Sequence, residues 1–218
     1  MNCAPRSKQR PPRARPRVGL ITEGDTEFAA IPLLHKKKLV ANAPPFQPLN
    51  LGGLNSAMSG TGIANRLAGS IKTLALSGIT EIVVCIDREE RAQCAPGLAK
   101  AIQQAIPTAI KDLSCHKPNV TIVVMDRTFE AAVLADATGL HSRGVFKRAP
   151  TFRSFEGSLG KNNRKGVDDL TDLLGRPYNK TKDGPRLFEQ LNFTVARDHS
   201  AGARGSRSLD KLLRSLGI

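Results

Sequence analysis

The chain has 218 residues, of which 40% are hydrophobic, enough to bury the core of one ordinary domain. Aromatic residues make up only 4% and there is no Trp, which disfavours a surface that reads single-stranded bases by stacking. The net charge of +14 favours a polyanionic partner. This charge lies in the flanks, since residues 1–17 hold six basic residues and no acid, and the stretch after residue 140 is also basic.

The cysteines and the apolar runs indicate the compartment. The four cysteines form no C-x-x-C pair, and Cys85 lies in an apolar run, where a thiol behaves as a small hydrophobic group. No apolar run approaches the roughly 18 residues of a membrane span, and the Pro- and Arg-rich start lacks an apolar signal core. We expect a reduced, cytoplasmic protein without membrane association.

In chain order, the pattern predicts a tail and then alternating strands and helices. Residues 1–16 are rich in Pro and Arg and predict a disordered basic tail. Strands are predicted at 17–22, 46–51, 81–87 and 120–125, and helices at 23–39, 62–76, 90–106 and 129–137. The first helix is expected to be capped by Asp25 or Thr26, to carry Phe28 on its apolar face and to bend near Pro32.

This alternation predicts an α/β fold with a mostly parallel, Rossmann-like sheet flanked by helices over residues 17–140. The run EIVVCID at 81–87 is typical of a strand buried on both faces of such a sheet. Residues 141–218 predict a basic, mainly helical C-terminal appendage packed on the sheet, with helices at 167–174, 185–191 and 208–216.

The acidic residues of the middle segment follow the predicted strands. Eight of the eleven acids between residues 18 and 140 do so: Glu23, Asp25, Glu27, Asp87, Glu89, Glu90, Asp126 and Glu130. In an open α/β sheet, ligands bind at the carboxyl ends of the strands. Carboxylates that converge there repel one another unless a cation lies among them, and hard oxygen ligands select Mg²⁺ or Mn²⁺.

Each acidic motif also has a plainer interpretation. The segment EGDTE at 23–27 is compatible with an ordinary helix N-terminus, where acids are favoured by the helix dipole. The D-x-E of Asp87 and Glu89 is compatible with a strand that ends in a polar loop. Gly24 is expected to let the backbone turn so that Glu23 and Glu27 both face the end of the sheet.

Together, LITEGDTE and VVCIDREE resemble the two motifs of the Toprim domain, found in topoisomerases, primases, maturation ribonucleases and nucleases of the overcoming-lysogenization-defect (OLD) type. The second acid, Glu27, is similar to the OLD-type variant. The resemblance implies a Toprim-like fold, with Glu23 as a metal ligand and candidate general base, Glu27 as a ligand of a second metal, and Asp87 and Glu89 as further ligands.

A closer similarity is to small stand-alone Toprim-like proteins of unassigned function that are encoded beside an ATPase. FEAAVLAD at 129–136 resembles their "FEAWLLAD" helix, and Tyr178 to Lys180 resembles their Tyr-x-Lys segment. This resemblance adds Glu130 and Asp136 to the implied metal ligands. The chain departs from the family at Glu89, where the family has Asp, and at Ala132, where it has Trp.

The implied activity is Mg²⁺- or Mn²⁺-dependent cleavage of a nucleic-acid phosphodiester, DNA in preference to RNA, with two metal ions about 4 Å apart. The resemblance also implies a separately encoded ATPase partner and a role in defence against foreign nucleic acid. A basic residue is expected near the scissile phosphate, and the candidates are Arg88, Arg127, Lys161, Lys165 and Lys180. The alternatives are a non-catalytic nucleic-acid-binding or regulatory subunit, and nucleotidyl or phosphoryl transfer without strand cleavage.

Overall fold

The computed structural model describes residues 17–151, 166–200 and 205–218. The tail predicted for residues 1–16 therefore lies outside the described residues, as do Lys161 and Lys165. Within the described ranges, no helix is both long and apolar enough to cross a membrane. The elements in chain order are β1 (Val18–Thr22), α1 (Asp25–Ala30), α2 (Leu33–Lys36), β2 (Phe46–Asn50), α3 (Gly60–Leu76), β3 (Glu81–Asp87), α4 (Ala95–Ala109), β4 (Asn119–Met125), α5 (Glu130–Leu134), α6 (Ala137–Ser142), α7 (Gly166–Leu174), α8 (Asp183–Glu189), α9 (Phe193–Arg197) and α10 (Arg207–Ser215).

The four strands form one parallel sheet in the order β2-β1-β3-β4, which confirms the predicted α/β fold. Thr22 at the end of β1 pairs with Asn50 of β2 and with Cys85 of β3. From β1 the chain moves outward to β2, and it then crosses back to β3 on the other side of β1. Ligands of open α/β sheets bind at such a switch point, beyond the carboxyl ends of the strands.

Alternate side chains of the strands supply two cores, one on each face of the sheet. Ile21, Val84 and Ile122 belong to the core that is covered by α3 and α4. Leu20 and Cys85 belong to the other core, which also contains buried residues of α1, α2 and every helix from α5 to α10. The helices after residue 140 thus share the core on this face of the sheet with α1, α2, α5 and α6.

The start of one predicted helix is displaced by the loop before it. The helix predicted at 90–106 begins at Ala95, because the loop before it is held by the buried guanidinium of Arg91, whose Nη1 donates to the carbonyl of Asp87 (2.9 Å) and Nη2 to that of Asn55 (3.1 Å). Pro96 fits the first turn of α4, where a missing N–H costs nothing.

The segment predicted as one helix at 23–39 is two short helices, with the break at Ile31 and Pro32. The residue that caps α1 is Gly24, without a side-chain cap, instead of Asp25 or Thr26. Phe28, expected on the buried face of α1, is 37% exposed.

Helix α9 was not predicted. Its signal is Asn192, whose side-chain oxygen accepts from the backbone N–H groups of Thr194 and Val195.

The shared core predicts that a change in α8 destabilises the whole sheet. The ring of Phe188 is fully buried and packs on those of Phe129 (centroids 5.3 Å apart) and Phe193 (5.2 Å). Phe188→Ala is expected to lower the free energy of unfolding by about 3–5 kcal/mol, because it removes apolar contacts and leaves a cavity.

Urea unfolding followed by circular dichroism measures this loss. The control is Leu76→Ala in α3, where the side chain is 68% exposed and little change is expected. A loss for Phe188→Ala as small as that of the control, or a separate transition for the C-terminal helices, would contradict a shared core.

Candidate functional site

A pocket of about 310 Å³ lies beyond the carboxyl ends of the strands. Six carboxylates and one lysine are among its lining residues, which we call the acidic pocket: Glu23, Asp25, Glu27, Asp87, Glu89, Glu130 and Lys180. The acids come from the ends of β1 and β3, from α1 and from α5, so the fold brings together residues that are more than 100 positions apart. Five of the six predicted metal ligands and one predicted phosphate-binding residue lie in this pocket.

Glu23 ties three segments together at the switch point. Its side chain is almost fully buried, Oε1 accepts from the backbone N–H of Leu54 (3.0 Å), and Oε2 accepts from that of Asp87 (3.1 Å). Burial raises the pKa of Glu23, and these two hydrogen bonds oppose the rise because they favour the carboxylate. Glu23 therefore positions the end of β3 as well as lining the pocket.

Glu27 reaches the pocket because residue 24 has no side chain. A Cβ at Gly24 would lie 2.6 Å from Oε2 of Glu27, whereas the φ of Gly24 (−114°) is open to any residue. The expectation for Gly24 is thus corrected, since the glycine supplies space and not a special turn. Burial, with repulsion from Glu130 and Glu23, raises the pKa of Glu27 to about 7.

Asp87 combines an unsatisfied buried oxygen with a raised pKa. Its Oδ1 is buried and has no hydrogen-bond partner among the residues that the structure describes. Burial, followed by repulsion from Glu27 and Glu130, raises the pKa of Asp87 well above its ordinary value. A buried carboxylate oxygen without a donor is costly, and a bound cation would satisfy it.

The loop after β3 is held against the loop after β4. Glu89 and Arg127 both have positive φ angles (50° and 72°), and the N–H of Glu89 donates to the carbonyl of Arg127 (2.7 Å). Such left-handed non-glycine residues are uncommon and are costly unless their surroundings impose them. The carboxylate of Glu89 is 44% exposed and lies 3.9 Å from Nη1 of Arg91.

Arg88 and Arg127 join these two loops and do not line the acidic pocket. Nε of Arg88 donates to Oδ1 of Asp126 (2.7 Å), and Nη1 of Arg127 donates to the carbonyl of Glu89 (3.3 Å). These contacts are structural, and the phosphate-binding role predicted for Arg88 and Arg127 stays a prediction.

The two acids of the FEAAVLAD segment lie in different places, one inside the acidic pocket and one outside it. Glu130, at the start of α5, is buried and lines the pocket. Asp136, which was expected to be a metal ligand, lies outside the pocket, where its Oδ2 accepts from Nη2 of Arg143 (2.7 Å) and from the N–H of Asn192 (2.8 Å). Asp136 therefore joins α6 to the segment before α9.

Lys180 is presented by a closely hydrogen-bonded loop. Arg176 makes a two-pronged ion pair with the buried Asp183 (2.7 and 2.6 Å), and Asp183 also accepts from the N–H of Asn179 (2.9 Å). The hydroxyl of Thr26 donates to the carbonyl of Lys180 (3.3 Å), which fastens the loop to α1 beside Glu27. Attraction to Lys180 partly opposes the rise in the pKa of Glu27 that burial and the neighbouring acids cause.

An all-oxygen set of carboxylates with one unsatisfied oxygen fits a hard divalent cation. As the side chains stand in the described residues, however, no group of three or more His, Cys, Asp or Glu is arranged to hold a metal ion. Each oxygen of Glu23 accepts a hydrogen bond from one backbone N–H group, and Glu89 is turned toward Arg91. A cation would therefore require side-chain rotation, which is open to the half-exposed Glu89.

Several residues of the site were not predicted from the sequence. Arg91 and Asp183 act through contacts made by folding, and no local pattern marks them. Asp25 was recognised as an acid after β1 but not as a ligand, and Asn50 donates to it from the end of β2 (2.7 Å). Gly52 and Gly53, directly after β2, line the acidic pocket. Such a pair of glycines in the sequence indicates a loop at this position.

Compared with known proteins, the chain matches no family model, no curated protein and no solved structure.

The raised pKa of Glu27 predicts a pH-dependent stability. Between its ordinary value of 4.5 and about 7, the folded state binds a proton that the unfolded chain has lost, so stability falls as pH rises through this range. Glu27→Gln carries no charge and avoids this loss. Without divalent metal, we expect the variant to exceed the wild type at pH 8 by on the order of 2 kcal/mol, and to match it near pH 4.

Urea unfolding at several pH values measures this difference. The control is Asp112→Asn, an exposed acid between α4 and β4 at the opposite end of the sheet, for which no pH-dependent gain is expected. A variant that is less stable than the wild type at pH 8, or a gain that is the same at every pH, would show that Glu27 is not strained by its neighbours.

Proposed function

We propose that the protein is a divalent-metal-dependent nuclease of the Toprim type that cleaves DNA at the acidic pocket. The observation that carries the proposal is the convergence of Glu27, Asp87 and Glu130 on one pocket, with a buried oxygen of Asp87 left without a partner. The position of the pocket at the switch point supports it, because this is where open α/β sheets bind ligands. The resemblance of LITEGDTE and VVCIDREE to the Toprim motifs agrees with this placement.

The residues divide into ligands and positioning groups. Asp87, Glu27 and Glu130 would hold the metal, with Glu89 joining after a rotation away from Arg91. Glu23 would orient the end of β3 through its bonds to backbone N–H groups, and one freed oxygen would make it a further ligand or the base. Two bound Mg²⁺ or Mn²⁺ ions would activate a water and stabilise the leaving oxygen of the phosphodiester.

Lys180 would bind the phosphate that enters the pocket. It is the basic residue that lines this pocket, and its loop is fixed by the Arg176–Asp183 ion pair and by Thr26. An ammonium group on a loop held in this way would stabilise negative charge on the phosphate.

The competing proposal is a non-catalytic nucleic-acid-binding or regulatory subunit. It is favoured by the occupied oxygens of Glu23, by the ion pair between Glu89 and Arg91, and by the Glu that stands where the family has Asp. A separately encoded ATPase partner and a role in defence are further parts of the proposal that rest on the resemblance. A cytoplasmic location is a further part that rests on the cysteine pattern.

Cleavage assays distinguish the two proposals. We expect Mg²⁺- or Mn²⁺-dependent cleavage of DNA, and a loss of more than about 100-fold in both Asp87→Asn and Glu23→Gln, since each change removes a charge at the site. Asp112→Asn serves as the control of equal charge change. The substrate panel includes single- and double-stranded DNA and RNA, with and without the product of the neighbouring gene.

Unchanged cleavage in both variants would overturn the assignment of the site. Salt-sensitive binding without any product, under every one of these conditions, would establish the non-catalytic proposal instead.

Metal binding is also expected to change thermal stability. At pH 8, Mn²⁺ at 100 times its Kd should add about 2.7 kcal/mol, which raises the Tm by about 5–10 °C. At pH 6 the rise should be smaller, because protons on Glu27 and Asp87 compete with the cation. Asp87→Asn should lose the rise and Asp112→Asn should keep it, whereas an equal rise in both would place the metal elsewhere.

A further inference from the structure

Helix α8 has one buried face and one charged face. Asp183, Gly184, Leu187 and Phe188 are buried against the rest of the fold. Lys182 and Arg186 are exposed and lie four positions apart, and Glu189 follows three positions later. This spacing places the three side chains on one side of the helix, directed away from the core.

The charged face of α8 begins at the acidic pocket. Lys180 lines the pocket, and Lys182 immediately precedes the helix. The carbonyl of Lys180 is bonded to Thr26 of α1, and a Cβ at Gly184 would collide with Cγ2 of that same Thr26. The start of α8 is therefore fixed beside the pocket, and its charged side leads away from it.

The same face ends at a second group of cations. Nζ of Lys37 lies 3.4 Å from Oε1 of Glu189, which brings the end of α2 to the end of α8. Lys36, Lys37 and Lys38 are all exposed. We name the resulting row of exposed cations the basic ridge: Lys180, Lys182, Arg186, Lys36, Lys37 and Lys38.

The charge of the basic ridge is available to a ligand. The ion pair between Lys37 and Glu189 is itself exposed, and such pairs contribute only about 0–1 kcal/mol. Asp183, the acid at the start of α8, is buried and is already paired with Arg176. A polyanion can therefore bind the ridge without breaking a buried ion pair.

We propose that the basic ridge binds the phosphate backbone of duplex DNA and leads it into the acidic pocket. This inference rests on the proposed function for its choice of DNA. The seven residues of α8 span about 10 Å, which matches about three phosphates of one strand at 3.4 Å of rise each. Among the exposed large hydrophobic side chains of the described ranges, Phe28 is the one aromatic. This scarcity of exposed aromatic rings favours contacts with the DNA backbone over stacking on bases.

Fluorescence anisotropy measures the binding of a labelled DNA duplex over a range of salt concentrations. EDTA in the buffer prevents cleavage, so the assay tests the basic ridge alone. Lys182→Gln with Arg186→Gln should weaken binding about 10-fold or more at low salt, and should reduce the slope of log K against log salt by about 2. Glu189→Gln should strengthen binding several-fold, because it removes the acid on this face. Unchanged urea unfolding and circular dichroism of Glu189→Gln show that a gain of affinity belongs to the folded protein.

The control is Lys111→Gln with Lys117→Gln, which removes two exposed cations between α4 and β4, at the opposite end of the sheet. It should leave the affinity and the salt slope nearly unchanged. No binding by the wild type, equal losses in the ridge and control pairs, or weaker binding by Glu189→Gln would overturn the proposal. Tighter binding of an RNA duplex would overturn the choice of DNA.

Failure of the ridge and failure of the proposed function give different results. Binding that depends on the ridge, with no cleavage in Mg²⁺ or Mn²⁺, would reject the nuclease and retain the surface. Cleavage that needs Asp87 but is unaffected by the ridge variants would reject the surface and retain the nuclease.

Discussion

The carboxylates at the carboxyl ends of β1 and β3 repel one another in a partly buried pocket, and much of the surrounding structure serves to keep them there. Burial and mutual repulsion raise the pKa values of Glu23, Glu27 and Asp87. The opposing contacts are specific: Glu23 is held by two backbone N–H groups, and Gly24 leaves space for Glu27. A fold that maintains such unfavourable electrostatics gives up stability at this place, as functional sites commonly do.

The C-terminal helices contribute to the site as well as to the core. The sequence after residue 140 predicts a helical appendage packed on the sheet, and its helices contribute buried residues to the core on one face. They also bring Lys180 to the pocket and fasten its loop to α1 through Thr26. The acidic pocket and the basic ridge therefore depend on the same packing, because α8 lies against α1 on one side and carries the ridge on the other.

Local patterns predict the strands and their terminal acids well, for physical reasons. A β-branched run such as 81–87 has few alternatives to a buried strand, and parallel strands bring their carboxyl ends to one edge. Side-chain pairings across loops do not follow from such patterns. Arg88 pairs with Asp126, 38 positions away, and Asp136 accepts from the N–H of Asn192, 56 positions away, so neither contact could be predicted from the local sequence.

The most direct test of the account is whether a divalent cation binds among these carboxylates. Anomalous diffraction from crystals grown with Mn²⁺ at pH 8 locates the ion independently of any activity. The account predicts a manganese peak in the acidic pocket, at about 2.1 Å from Oδ1 of Asp87 and from an oxygen of Glu27, with Glu89 turned away from Arg91. A pocket without manganese in crystals that hold the ion elsewhere, or with Oδ1 of Asp87 bonded instead to a protein donor, would contradict it.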